Sequence, residues 1–138
     1  MAEPTSLHPK GSLILRTLAM PADTNPQGDI FGGWIMAQMD IAGGILAREQ
    51  TCSRVVTVAV ESLSFIRPVK VGDVVCCYGH VLRIGTTSIT IDLGVWVKPA
   101  LDQPLPPGTM FQVTRAAFTY VAVDSQGNKQ VIDTSCLC

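Results

Sequence analysis

The chain has 138 residues, enough for one ordinary domain and too few for a second independent module. Apolar residues make up 47% and charged residues only 15%, a thin polar cover for a small domain, so part of the surface is expected to be buried in an oligomer. The formal net charge of −1 gives no general attraction for nucleic acid or an anionic membrane; a phosphorylated ligand would need a few well-placed basic residues.

Met1 to Lys10 is polar and lacks the apolar stretch of a signal peptide, so residues 1–11 read as a flexible arm on a single domain spanning 1–138. Ser12 to Leu18 is short and β-prone, a first strand. Pro21 to Asp29 is dense in turn formers and reads as an ordered loop. From Ile30 to Ala47 the chain is almost wholly apolar, near the length that spans a bilayer. Asp40 in its middle would be costly in lipid, and Gly32, Gly33, Gly43 and Gly44 suit close packing inside a protein. A buried central helix through about Glu49 is expected, ended by Thr51, Cys52 and Ser53.

Val55 to Ile66 is valine-rich and alternating, hence a strand. Pro68 to Asp73 is a turn, Val74 to Ile84 the next strand, Gly85 to Thr87 a tight turn, and Ser88 to Lys98 another strand. Pro99 to Gly108 carries four prolines and reads as a loop at a sheet edge or between subunits. Met110 to Asp124 is the last strand, followed by a turn and a tail over 125–138. A helix apolar on nearly all sides must be covered on nearly all sides, which calls for a curved antiparallel sheet wrapped around it: an α+β fold. The five cysteines, at 52, 76, 77, 136 and 138, show no zinc-site spacing with histidine and are read as free thiols in a reducing cytoplasm.

Asp40 is the most informative residue. An ionised carboxylate in an apolar helix is expensive unless paired or put to use. Its plain reading is a hydrogen-bonded polar residue at an interface; its functional reading is a reacting acid or base. Phe31-Gly32-Gly33 opens the helix, where free N–H groups and the helix dipole favour negative charge and glycine lets a carbonyl approach. Asn25 in the loop before it adds a neutral donor and acceptor, or starts an ordinary Asn-Pro turn. At 1.5 Å rise per residue, Asp40 lies about 10–12 Å along the helix from Gly32 and Gly33. If they serve one carbonyl, the carboxylate of one protomer must meet the helix N-terminus of another, which a two-fold dimer does twice.

The stretch LRTLAMPADTNPQGDIFGGWIMAQMDIAGGILA, followed by RVVTVAVESLSFIRPVKVGDVV, closely resembles the YciA-type bacterial acyl-CoA thioesterases of the hotdog superfamily, from about Ser12 to Asp124. The tail departs from those relatives, which often continue with a polar extension. The resemblance implies the hotdog fold and hydrolysis of acyl-CoA to coenzyme A and a free acid, with no metal or organic cofactor. It implies Asp40 as general base or nucleophile, Asn25 as a partner-supplied positioning residue, and an N–H of Gly32 or Gly33 as the donor to the thioester carbonyl. Hexamers built as three dimers are common among similar proteins, in line with the homodimer that the helix spacing calls for as the minimal unit; the cytoplasmic location rests on the thiols and the polar start.

Thr57 is a candidate for lining the acyl site, against a plain β-prone surface residue. For the coenzyme A phosphates, Arg67, Arg83, Thr86, Thr87, Ser88 and Lys98 combine basic side chains with turn hydroxyls, although most exposed cations are merely solvated. Trp34, Met36 and Met39 read as packing. A hotdog dehydratase would need a histidine with an acid; His8 sits in the arm and His80 mid-strand with no acidic motif nearby in sequence. An acyl-CoA-binding regulator would need room for a DNA-binding segment, and a serine hydrolase would need a nucleophile elbow; the chain has neither.

Overall fold

The computed structural model describes residues 8–100, 105–106, 108–133 and 135. The chain order is β1 (Ser12–Leu18), α1 (Gly32–Thr51), β2 (Arg54–Phe65), β3 (Val74–Ile84), β4 (Ser88–Lys98) and β5 (Phe111–Val123), with a 3-10 turn at Pro21–Asp23. The five strands form one antiparallel sheet in the order β1-β3-β4-β5-β2. Three strand ranges match the sequence reading residue for residue, and the other boundaries move by one or two residues.

The sheet curls around α1 because alternate residues of the inner strands are apolar. Ile89, Ile91, Leu93, Val95 and Val97 of β4 point into the core, while Thr90 and Asp92 point outward. Ala116, Phe118, Tyr120 and Ala122 do the same on β5. The helix answers with the stripe Ile35, Met39, Ala42, Gly43 and Ala47, spaced by the helical repeat. Its C-terminus closes at Cys52, which adopts φ 50° and donates its N–H to the Arg48 carbonyl at 2.8 Å.

The expectation that α1 is covered on nearly all sides holds only in part. Five strands enclose one side, and the flank bearing Ile41 and Ile45 stays open, Ile41 being 51% exposed. Beside that flank runs β2, an edge strand with Val56, Val58 and Val60 exposed. Two register shifts bend β2, between Thr57 and Ala59 and between Glu61 and Ser64, the second holding Ser62 at φ 60°. An exposed apolar edge of this length is an invitation to pair with another strand.

The tail is docked as far as Ile132, which is buried and donates its N–H to the Thr86 carbonyl, while Gln130 donates to Ala122. Cys76 and Cys77 are free thiols, buried on opposite faces of β3. Burial, then the neighbouring Cys76, pushes the Cys77 thiol up to about 12. Cys52 is disulfide-bonded, so the free-thiol reading fails there; it sits at the helix end and not in the sealed core. Residues 1–7 of the arm, 101–104 and 107 of the proline-rich loop, and Cys136 and Cys138 of the tail lie outside the described residues.

Candidate active site

Asp40 projects from the third turn of α1 towards the edge of the sheet and is half-buried. Its Oδ1 accepts the Thr57 hydroxyl at 2.6 Å and the Tyr120 hydroxyl at 3.1 Å. The Tyr120 hydroxyl also donates to the Asp40 backbone carbonyl at 3.1 Å. Among the described residues, no hydrogen bond reaches Oδ2. The carboxylate is thus held by one oxygen, and the other is without a hydrogen-bond partner among the described residues.

The two donors come from facing strands. Thr57 and Tyr120 are paired in the β2–β5 register, so the pleat places both side chains on the helix side at one level. Thr57, a candidate from the sequence, thus makes a direct hydrogen bond to the carboxylate. Tyr120 was missed by the sequence reading. The available signal was an inward-facing tyrosine in the alternation Phe118-Thr119-Tyr120, whose buried hydroxyl needs a partner when Asp40 is the acid of the facing helix. Burial, the Asp40 charge and the hydrogen bond to it all hold the phenol far above its usual range, while Thr57 opposes them. Tyr120 therefore remains a donor.

The other candidate residues, Gly32, Gly33 and Asn25, lie at the helix N-terminus. Phe31 caps α1 through its carbonyl, which accepts from Trp34 at 3.1 Å and Ile35 at 3.3 Å, so the Gly32 and Gly33 N–H groups have no acceptor within the helix. A side chain on Gly32 would press on the Phe65 ring at 3.3 Å, whereas Gly33 faces open space. Beside them is a cleft of about 370 Å³ lined by Asn25, Ile30, Gly32, Phe65 and Arg67. The Asn25 side-chain oxygen accepts the N–H groups of Gln27 (3.0 Å) and Asp29 (3.1 Å), the Asn-Pro turn role that competed with function in the sequence. Its amide nitrogen is left for the cleft. The loop is pinned from below by an ion pair between Asp29 and Lys70 and by the Ile30 N–H on the Val69 carbonyl.

The six phosphate candidates do not gather in one place. Arg67 lines the N-terminal cleft, its guanidinium 3.8 Å above the centre of the Phe111 ring. Lys98 pairs with Val74 at the same end of the sheet. Arg83, Thr86, Thr87 and Ser88 surround the β3–β4 turn, at the far end of a strand roughly 33 Å long at 3.3 Å per residue. Asp40 belongs to that far end, because Thr57 pairs with Tyr120 and Tyr120 with Ile89.

His80 does have an acid nearby, contrary to the reading from sequence alone. Its Nδ1 lies 3.6 Å from Asp92 Oδ2, and Arg115 donates to Asp92 Oδ1 at 2.9 Å. Cross-strand register made this pair, which linear spacing could not reveal. It sits on the outer face of the sheet, opposite the helix, and contributes nothing to the Asp40 site.

Residues 27–101 match the model of the thioesterase superfamily. The chain belongs to the thioesterase superfamily. Within it, the chain is 56% identical over 124 residues to the acyl-CoA thioester hydrolase YciA of Escherichia coli strain K12, covering 90% of this chain and 92% of that one. A crystal structure of a hexameric broad-specificity acyl-coenzyme A thioesterase superposes with a TM-score of 0.85 at 58% identity, covering 91% and 84% of the two chains. A hexameric thioesterase from Yersinia pestis does so with a TM-score of 0.83 at 53% identity, covering 91% and 98%. The architecture is the hotdog fold of this superfamily. Among the described residues, no helix is long and apolar enough to cross a membrane.

Proposed function

We propose that this protein hydrolyses acyl-CoA thioesters to free coenzyme A and a carboxylic acid, at sites shared between the two protomers of a dimer. The observation that carries the reading is a carboxylate in an apolar helix, held on one oxygen by Thr57 and Tyr120 and open on the other. The superfamily membership and the close hydrolase relatives supply the substrate class.

The shared site follows from β2. Thr57 sits at Asp40 and Phe65 sits at Gly32, so the two half-sites mark two levels on one edge strand. Antiparallel pairing of two β2 edges about a two-fold midway between those levels, near Glu61, sets Thr57 of one protomer opposite the partner copy of Phe65. Asp40 of one protomer then meets the helix N-terminus of the other, and the open flank of α1 is covered in the same step. Arg83, Thr86, Thr87 and Ser88 arrive with Asp40, while Asn25, Gly32 and Arg67 arrive from the partner chain. Three such dimers would make the hexamer that the similar structures form.

In this arrangement, Asp40 Oδ2 removes a proton from water, and the oxygen adds to the thioester carbon. The developing oxyanion is met by the N–H of Gly32 or Gly33, with Asn25 orienting water or the thioester. The carbon–sulfur bond then breaks and the proton on Asp40 passes to the departing thiolate. Direct attack by Oδ2, forming an anhydride that water cleaves, uses the same geometry. Carboxylate, hydroxyls and backbone donors suffice for either course, and the reading calls on no metal or organic cofactor. We place the protein in the cytoplasm because acyl-CoA is made and consumed inside cells; the cysteines do not support that location, since Cys52 is disulfide-bonded.

The test is hydrolysis of a panel of acyl-CoAs, short to long, followed by trapping the released thiol, with wild type and Asp40→Asn side by side. Turnover by wild type and a loss of at least about a hundredfold in the variant are expected. Full activity in Asp40→Asn would remove the carboxylate from the mechanism. Binding without turnover by wild type would make the protein a carrier or sensor of acyl-CoA.

A further inference from the structure

We propose that Gly43 and Tyr120 act together as a strut that aims the Asp40 carboxylate, making Tyr120 a positioning residue for hydrolysis and Gly43 the gap that admits its hydroxyl. The proposal rests on the reading of Asp40 as the reacting carboxylate and adds what sets its direction.

A carboxylate on a helix ordinarily turns about two side-chain bonds. Here one phenol hydroxyl lies 3.1 Å from both Asp40 Oδ1 and the carbonyl oxygen of the same residue. A donor shared between the main chain and side chain of one residue ties the two together and selects the rotamer that turns Oδ1 back to the helix. Thr57 adds a second donor to Oδ1 from the other strand, at 2.6 Å. Oδ2 accepts no hydrogen bond among the described residues and is left for the reaction.

The hydroxyl reaches that position only because residue 43 has no side chain. A Cβ built on Gly43 would lie 2.2 Å from the Tyr120 hydroxyl oxygen, 2.9 Å from its ring carbon Cζ and 2.9 Å from Leu93 Cδ1. Its neighbour Gly44 has nothing within 4 Å, so the close approach of helix to sheet is specific to Gly43. Phenylalanine at 120 would fill the core without a buried hydroxyl to satisfy, so the oxygen needs a reason, and the acceptor it donates to among the described residues is Asp40. The phenol keeps its proton because burial and the adjacent Asp40 charge disfavour the phenolate.

The experiment compares wild type, Tyr120→Phe, Gly43→Ala, the double variant and Asp40→Asn in acyl-CoA hydrolysis, with thermal melting and light-scattering size for each. Tyr120→Phe should lower kcat roughly ten- to a hundredfold, the range of one hydrogen bond to a charged group, while KM stays within about twofold. Gly43→Ala, which displaces the hydroxyl, should lower kcat in the same way. The two losses should not multiply in the double variant, because both act through one contact. A structural role alone would lower the melting temperature and leave kcat per folded enzyme near wild type, or give losses that multiply; either overturns the strut. If Gly43→Ala fails to fold, Tyr120→Phe still decides through its kcat and KM. Wild-type kcat in Tyr120→Phe beside an inactive Asp40→Asn removes the strut and leaves the Asp40 reading standing; an active Asp40→Asn removes both.

Discussion

The two half-sites of this protein are built in opposite ways. Around Asp40 everything is supplied by one chain: two hydroxyl donors from paired strands, a glycine that lets one of them in, and a core that holds both strands. Around Gly32 and Gly33 the chain supplies donors and an empty cleft, with Asn25 spending its oxygen on its own loop. The acidic half is finished and the donor half is waiting. In the proposed site the two halves come from different protomers, since about 10–12 Å of rigid helix separates them within one chain.

The largest break in that picture should come from the flank between the half-sites. Ile45→Arg puts a charge on the uncovered face of α1, 37% exposed, one turn beyond Asp40 and touching neither half-site's donors. If the flank is the dimer surface, light scattering should show a smaller species and turnover should fall at least about a hundredfold, because burying an unpaired charge at an interface costs several kcal/mol. Wild-type size and activity would refute the shared site.

A sharper division uses two damaged chains. Asn25→Ala should lower kcat by about tenfold through loss of one neutral hydrogen bond in the transition state. Unfolded together and reassembled with Asp40→Asn, it should gain activity over the sum of the two alone. A mixed dimer holds one intact site, with Asp40 from one chain and Asn25 from the other. No gain on mixing would place both residues in one protomer's site.

The smallest effect is on stability and leaves the chemistry alone. Cys77 titrates ordinarily near 9.0 and is pushed up to about 12 by burial, so the native state keeps a proton that the unfolded chain releases. Stability is then whole below pH 9 and falls as pH climbs from 9 towards 12. Tyr120, also raised, adds to the same decline. Urea midpoints across pH 8–11 should drop, and Cys77→Ala should flatten part of the slope. A midpoint independent of pH there would show that these groups are not sealed.

Much of the fold was legible in the sequence because strands and helix announce themselves by local spacing. Turn formers on either side bounded β3 and β4 to the residue, and an apolar run with one acid marked α1 and Asp40. The helix start at Gly32 and Gly33 and the turn at Asn25 were legible because glycine before a helix and Asn-Pro before a turn are short-range signals. Thr57 was singled out without its bond to Asp40, and Tyr120 not at all, since 80 residues separate it from the carboxylate it touches. The phosphate candidates lie scattered over two ends of the sheet, and His80 gained Asp92 across two strands.

The sequence by itself determined which segments are helix and strand, and that a buried carboxylate had to be accounted for. Both follow from local periodicity and from the cost of dehydrating charge. Only the tertiary structure decided which hydroxyls meet that charge, why Gly43 is glycine, and which edge of the sheet is left unpaired. Those depend on strand register and on how closely a helix can approach a sheet, and both are set when distant parts of the chain pack together.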